Sequence, residues 1–220
     1  MQRFTPRFQG RPWTEGMDVL HVYLTPRPGT DVALLGLAHA CRPALLDYPI
    51  DPACPARAGD PGTLHVTLEM VADAPAADIG VDERQDLIRA LRSAVADVPA
   101  FTTEIGPPIA NVAGAVFDVW PDDKASAIQD RVRTAIRTAR GDAALQHDTG
   151  RLHMSLGYAY DTADSDSLNG ILRNRITPRR APMRVDAIHL LSVRYDIAPD
   201  TGGWRMSWAP VAELPLGGPA

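Results

Sequence analysis

The chain has 220 residues, 45% of them hydrophobic and 22% charged, enough for one good core or two small, closely packed lobes, which excludes a fibre or a disordered tail. Its formal net charge is −5, so it lacks the broad basic footprint of a protein that grips long duplexes. A nucleic-acid end or a mononucleotide stays compatible with that charge. The first residues hold no apolar run of signal-peptide length, and nowhere do about eighteen apolar residues follow one another. The expectation is a cytoplasmic protein without a membrane partner. Cys41 and Cys54 form no Cys-x-x-Cys motif and are expected as reduced thiols.

After a lead-in containing Pro and Arg over residues 1–16, Val19 to Leu24 reads as a short strand stopped by Pro26 and Pro28. Asp31 is placed to cap a helix reaching about Leu46. Residues 47–62 hold four prolines and two glycines and read as a long loop bordering a site. A strand from Leu64 to Val71 leads to a helix opened by Asp82 and Glu83 and ending before Pro99, with Leu87, Leu91, Ala94 and Val95 as its apolar stripe. Phe101 to Ile105 and Ala113 to Trp120 are expected as an antiparallel pair turning at Gly106-Pro107-Pro108, followed by a helix from Pro121-Asp122-Asp123 to about Arg140. A strand from Arg151 to Tyr160, a short helix from Asp166 to Arg175, one strand from Arg184 to Tyr195 and an edge strand from Trp204 to Trp208 complete the order. Antiparallel strands mixed with helices at this spacing predict α+β architecture in two related lobes.

Two of the strands match each other: Leu64-His65-Val66-Thr67-Leu68 and Leu152-His153-Met154-Ser155-Leu156. Strand residues two apart share a face, so His65 projects with Thr67 and His153 with Ser155. With six histidines in the chain, two such matches lie well beyond what composition alone supplies. An imidazole near its ordinary pKa serves as base or acid at neutral pH, and phosphodiester cleavage needs one of each. A neighbouring hydroxyl can donate to a nonbridging phosphate oxygen. Two such strands facing one another flank a phosphate with a histidine and a hydroxyl on each side, suited to in-line displacement without a metal.

In these two His-x-[Ser/Thr]-hydrophobic motifs, about 88 residues apart, the chain resembles the two-histidine (2H) phosphoesterase superfamily, which includes 2′-5′ RNA ligase-like proteins and cyclic nucleotide phosphodiesterases. The resemblance covers about Leu20 to Tyr195. It implies one bilobal domain over 1–220: two antiparallel sheets related by a pseudo-twofold axis, helices on their outer faces and a cleft between them. It further implies His65 and His153 as the catalytic acid–base pair and Thr67 and Ser155 as phosphate-binding hydroxyls, with no metal and no other cofactor. The implied substrates are 2′,3′-cyclic phosphates or 2′-5′ linkages at an RNA 3′ end or in a small nucleotide, acted on by a monomer. Because hydrolysis in the family commonly leaves a 2′-phosphate, His153 is provisionally the base and His65 the acid. Ligation by the reverse reaction, and a nucleotide- or RNA-binding module without turnover, stay open as alternatives.

Other residues invite weaker readings. His21, in an imperfect third copy of the motif with Tyr23 in the hydroxyl position, is a candidate cleft-lining residue, against a structural strand. Tyr158 is placed to stack on a base, yet in an ideal strand it points away from His153, which favours core packing. His39, His147 and His189 form no metal-binding spacing. Arg173, Arg175, Arg179, Arg180 and Arg184 make a locally cationic stretch read as a solvated helix end and turn. Trp13, Trp120, Trp204 and Trp208 are expected to seal the core or its edges.

Overall fold

The computed structural model describes residues 1–146 and 150–217. In chain order it forms β1 (Arg7–Phe8), β2 (Arg11–Pro12), β3 (Asp18–Leu24), α1 (Val32–Leu46), β4 (Ile50–Pro52), β5 (His65–Met70), α2 (Val81–Val95), β6 (Phe101–Asn111), β7 (Gly114–Trp120), α3 (Asp123–Arg140), β8 (His153–Ala159), α4 (Ser165–Arg175), β9 (Ala181–Val185), β10 (Ala187–Ile197) and β11 (Trp204–Pro215). Apart from the small β1–β2 hairpin, the strands make one antiparallel sheet in the order β11-β10-β3-β5-β8-β7-β6-β9, with β4 added beside β8. The sheet is strongly curled, a half-barrel.

The order reads as two four-stranded halves, β11-β10-β3-β5 and β9-β6-β7-β8, meeting at their motif strands. The seam is short: His65 stands opposite Ser155, and Val66 opposite Met154. The two sheets expected from the sequence are thus halves of one, joined edge to edge where the chemistry-bearing residues lie. α2 and α3 pack together and cover β11 and β5, while α1 and α4 cover β9 and β6. α2 turns Leu87, Ile88, Leu91 and Val95 inward and α3 turns Ala125, Ile128, Val132 and Ile136, each a single stripe at helical spacing.

Both motif strands carry a β-bulge at the same motif position. Across β3, Tyr23 faces Thr67 but Val22 faces Glu69, so Leu68 is the extra residue. Across β7, Val116 faces Ser155 but Ala115 faces Gly157, so Leu156 is the extra residue. A bulge reverses the facing of every later side chain and deepens the local twist. Past it, Met70 joins the concave face and Glu69 turns toward α3, where its carboxylate is fully buried against Arg133.

Several boundaries differ from the sequence reading for local reasons. Strand β6 runs straight through Gly106-Pro107-Pro108 with a register shift, and the turn falls instead at 112–113. Gly106 has φ +122, and a Cβ there would meet the Arg179 carbonyl oxygen at 2.2 Å. The single strand expected over Arg184 to Tyr195 is two, because Asp186 interrupts it: β9 joins the far edge beside β6, and β10 pairs with β3. The Pro-rich stretch 47–62 contains β4, whose buried Ile50 faces Ala159. Asp31 is the N-cap residue of α1 but does not cap with its side chain, which accepts instead from the amides of Arg27 (2.7 Å) and Arg184 (2.9 Å). Cys41 and Cys54 are free thiols, and burial pushes the Cys41 thiol up to about 12.

Candidate active site

The concave face of the sheet encloses a cavity of about 480 Å³ over the β5–β8 seam, lined by His21, His65, Thr67, His153, Ser155 and Tyr158 among others. The six residues singled out in the sequence therefore share one cleft. The seam register brings His65 beside Ser155, and alternation along each strand sets Thr67 and His153 on the same face.

The two imidazoles are held alike. His65 Nδ1 lies 2.7 Å from the carbonyl oxygen of Thr63, and His153 Nδ1 lies 2.9 Å from that of Arg151, each two residues upstream. A carbonyl only accepts, so Nδ1 carries the proton in both rings and Nε2 presents its lone pair when the ring is neutral. His65 Nε2 is 3.5 Å from Ser155 Oγ, and the Tyr158 hydroxyl donates to that same Oγ at 3.1 Å.

Their surroundings differ sharply. His65 is 2% exposed, stacked on Tyr23 (centroids 4.2 Å apart, 23° between planes) with the edge of Trp208 against it. Burial is the main reason that its pKa falls to about 4, and the nearby His153 lowers it further, while the bond to Thr63 opposes both. His153 is solvent-exposed.

Tyrosines form a second layer. The Tyr23 hydroxyl lies 2.7 Å from His21 Nδ1 and also meets the Thr67 side chain. Tyr158 stacks on Phe4 and bonds to Tyr195, and burial raises all three phenol pKa values. The core-facing orientation favoured for Tyr158 is overturned by the Leu156 bulge, which returns this ring to the cleft. His21, likewise on the cleft wall, is bonded to Tyr23 as part of the supporting network.

Sequence reasoning missed the contribution of the lead-in, whose Phe4, Arg7, Gln9 and Trp13 line the same cavity. It carries no periodic pattern, and only its aromatic residues hinted at anchoring. Trp208, expected at an edge, packs on His65, whereas Trp120 is half exposed rather than sealed. The arginines of 173–184 lie away from the cleft. His39 sits in α1 and His189 in β10, and His147 falls outside the described residues. Among the described residues no three His, Cys, Asp or Glu side chains are grouped to hold a metal ion, and no helix is long and apolar enough to cross a membrane.

A family model described as the 2′-5′ RNA ligase superfamily matches residues 52–196, a span containing both motif strands. The chain belongs to this superfamily. Its members are 2H phosphoesterases, and membership points to activity of phosphoesterase or ligase type. Solved structures share the fold. TT0787 of Thermus thermophilus superposes with a TM-score of 0.63 at 15% identity, over 91% of this chain and 98% of that one. E. coli LigT complexed with 3′-AMP gives 0.58 at 12% identity, over 91% and 98% of the two chains. Kluyveromyces marxianus Usb1 with uridine monophosphate gives 0.53 at 14% identity, over 88% and 98%. No curated protein matches the chain by sequence.

Proposed function

We propose that this superfamily member is a phosphodiesterase that hydrolyses 2′,3′-cyclic phosphates or 2′-5′ linkages in nucleotides or RNA ends by histidine acid–base catalysis, without a metal. The observation that carries the reading is the matched pair of imidazoles on one cleft face, each fixed by an upstream carbonyl so that Nε2 is the reacting atom. Nucleotides are also what LigT and Usb1 hold in the structures that share this fold.

The burial of His65 favours the reverse of the provisional division of labour. A histidine with its pKa near 4 is neutral at pH 7, so His65 is the base and exposed His153 the acid. Water attacks phosphorus and gives a proton to His65 Nε2. The bond from phosphorus to one ribose oxygen breaks, and that oxygen takes a proton from His153 Nε2. Thr67 and Ser155 donate to the nonbridging oxygens, whose charge their hydroxyls stabilise as the pentacoordinate state forms.

The test is to incubate EDTA-treated protein with 2′,3′-cyclic mononucleotides and 2′-5′ dinucleotides and resolve the products chromatographically. Turnover of at least one of these two classes is expected, lost in both His65→Ala and His153→Ala. Full activity in either variant, or inhibition by EDTA, refutes the reading.

A further inference from the structure

The first thirteen residues run across the cleft rather than away from it. At their start they are fixed to the β8 half: the terminal ammonium donates to the Ala163 carbonyl (2.7 Å), the Gln2 amide to Val112 (2.7 Å) and the Phe4 amide to Ala159 (2.8 Å). Further on they are fixed to the β5 half, where the Gln9 side-chain amide donates to the carbonyls of Ala72 and Asp73, both at 3.0 Å. Between these anchors Phe4 stacks on Tyr158, and Trp13 packs edge-on against Tyr195 and donates to the Met17 carbonyl. Phe8 and Trp13 are buried in an apolar cluster with Tyr23, Met70 and Tyr195. The strap therefore fills one end of the concave face with aromatic side chains and leaves a chamber over the seam.

Charge points the same way as shape. The described residues lining the chamber include two arginines, Arg7 and Arg151, and no carboxylate. Arg7 belongs to the strap, and its guanidinium donates to the strap's own Gly10 carbonyl (3.3 Å). Arg151 adjoins the second motif and pairs with Asp118 at the rim. Arg7 is therefore the lining arginine without a carboxylate partner among the described residues, and one such cation matches one phosphate group. A nucleic-acid strand would instead need a cationic track along several phosphates, and in a chain of net charge −5 the cleft provides none among its described lining. The chamber's volume of about 480 Å³ also falls in the range of small-ligand sites.

We propose that the strap of residues 1–13 is a fixed end wall of the cleft that limits the substrate to a single nucleotide carrying one phosphate, with Arg7 as its cation for that phosphate. This rests on the phosphodiesterase reading for the reaction, but not for the size limit, and of the substrates named there it selects the 2′,3′-cyclic mononucleotide over 2′-5′ linkages and RNA ends. The wall excludes a ribonucleotide chain continuing beyond the terminal residue.

Binding and turnover are measured separately. Calorimetry with wild-type protein compares a nucleoside 3′-monophosphate with a trinucleotide ending in a 3′-phosphate, and kcat/KM compares the corresponding 2′,3′-cyclic mononucleotide and cyclic-ended trinucleotide. The mononucleotide is expected to bind at least tenfold more tightly and to be preferred as substrate. Phe4→Ala/Gln9→Ala, which loosens the strap by removing the stacking on Tyr158 and the side-chain bonds to Ala72 and Asp73, is expected to narrow that preference at least fivefold. Arg7→Gln should weaken mononucleotide binding at least threefold. Equal binding of the two ligands by the wild type overturns the proposal even if the loosened variant fails to fold. Equal turnover of both substrates overturns the size limit and leaves the phosphodiesterase standing. Preferential mononucleotide binding with no turnover does the reverse, and no binding of either ligand overturns both.

Discussion

Two buried groups on β5, His65 and Glu69, make opposite demands on pH. Glu69 has no exposed side-chain surface, and burial pushes its carboxyl up to about 7, an effect only partly offset by the Met70 amide and Arg133. Between about pH 4.5 and 7 the folded chain holds this proton and the unfolded chain does not, so Glu69 costs stability as pH rises. His65 behaves oppositely. Its folded pKa of about 4 lies below the ordinary 6.5, so its contribution is present above 6.5 and is lost as pH falls toward 4. At about 1.4 kcal/mol per pH unit, each window is worth on the order of 3 kcal/mol, and where they overlap the two slopes cancel. The expected wild-type stability is therefore flat, from these two groups, between about pH 4.5 and 6.5. Urea unfolding of wild type, Glu69→Gln and His65→Gln at half-unit steps from pH 4 to 7.5 separates them. Relative to wild type, Glu69→Gln should gain stability as pH rises, and His65→Gln should lose it by a similar amount. Difference curves flat to within about 0.5 kcal/mol would refute the reasoning, as would slopes of the same sign.

If His65 is the base, the acid limb of wild-type kcat/KM on a cyclic nucleotide falls near pH 4, and Trp208→Ala, which exposes the ring, moves it upward by one unit or more; a wild-type limb at the ordinary histidine value contradicts this. Thr67→Val and Ser155→Ala should each lower kcat on the order of a hundredfold, measured under saturating substrate, and losses under tenfold count against phosphate contact. Gly157→Ala places a Cβ 2.7 Å from Ile50 Cγ2 and 2.9 Å from the Asp51 carbonyl oxygen, so it should cost about 1–3 kcal/mol in chemical unfolding by prising β4 from β8.

What the sequence made legible is what repeats at a fixed period. The motif strands showed through because alternation set a histidine and a hydroxyl on one face twice, and α2 and α3 showed through because their apolar residues recur every three to four positions. What stayed hidden breaks the period. The bulges at Leu68 and Leu156 reverse the pattern after them, which put Tyr158 in the cleft and Glu69 out of it. Gly157 was the available signal, since a side chain there would collide with β4. Asp186 divides an otherwise continuous alternation into strands at distant sheet positions, and only tertiary pairing distinguishes that from one long strand. The strap has no regular structure beyond a hairpin of two-residue strands, so its place across the cleft depends on Phe4, Phe8 and Trp13 finding the aromatic cluster.

The pairing of the motif strands explains how near-symmetry yields two different histidines. Backbone features repeat across the seam: the upstream carbonyl that fixes Nδ1, the hydroxyl two residues on, and the bulge one residue later. These set where each Nε2 points. The neighbouring strands are not equivalent, since β3 supplies Tyr23 and β11 supplies Trp208 to bury His65, while His153 stays open to solvent. Aim is thus set by what the halves share, and the burial of each ring by what they do not. The proposed reaction asks for an acid and a base flanking the same phosphorus, and a duplicated strand in two unlike settings supplies two imidazoles with one aim and different surroundings.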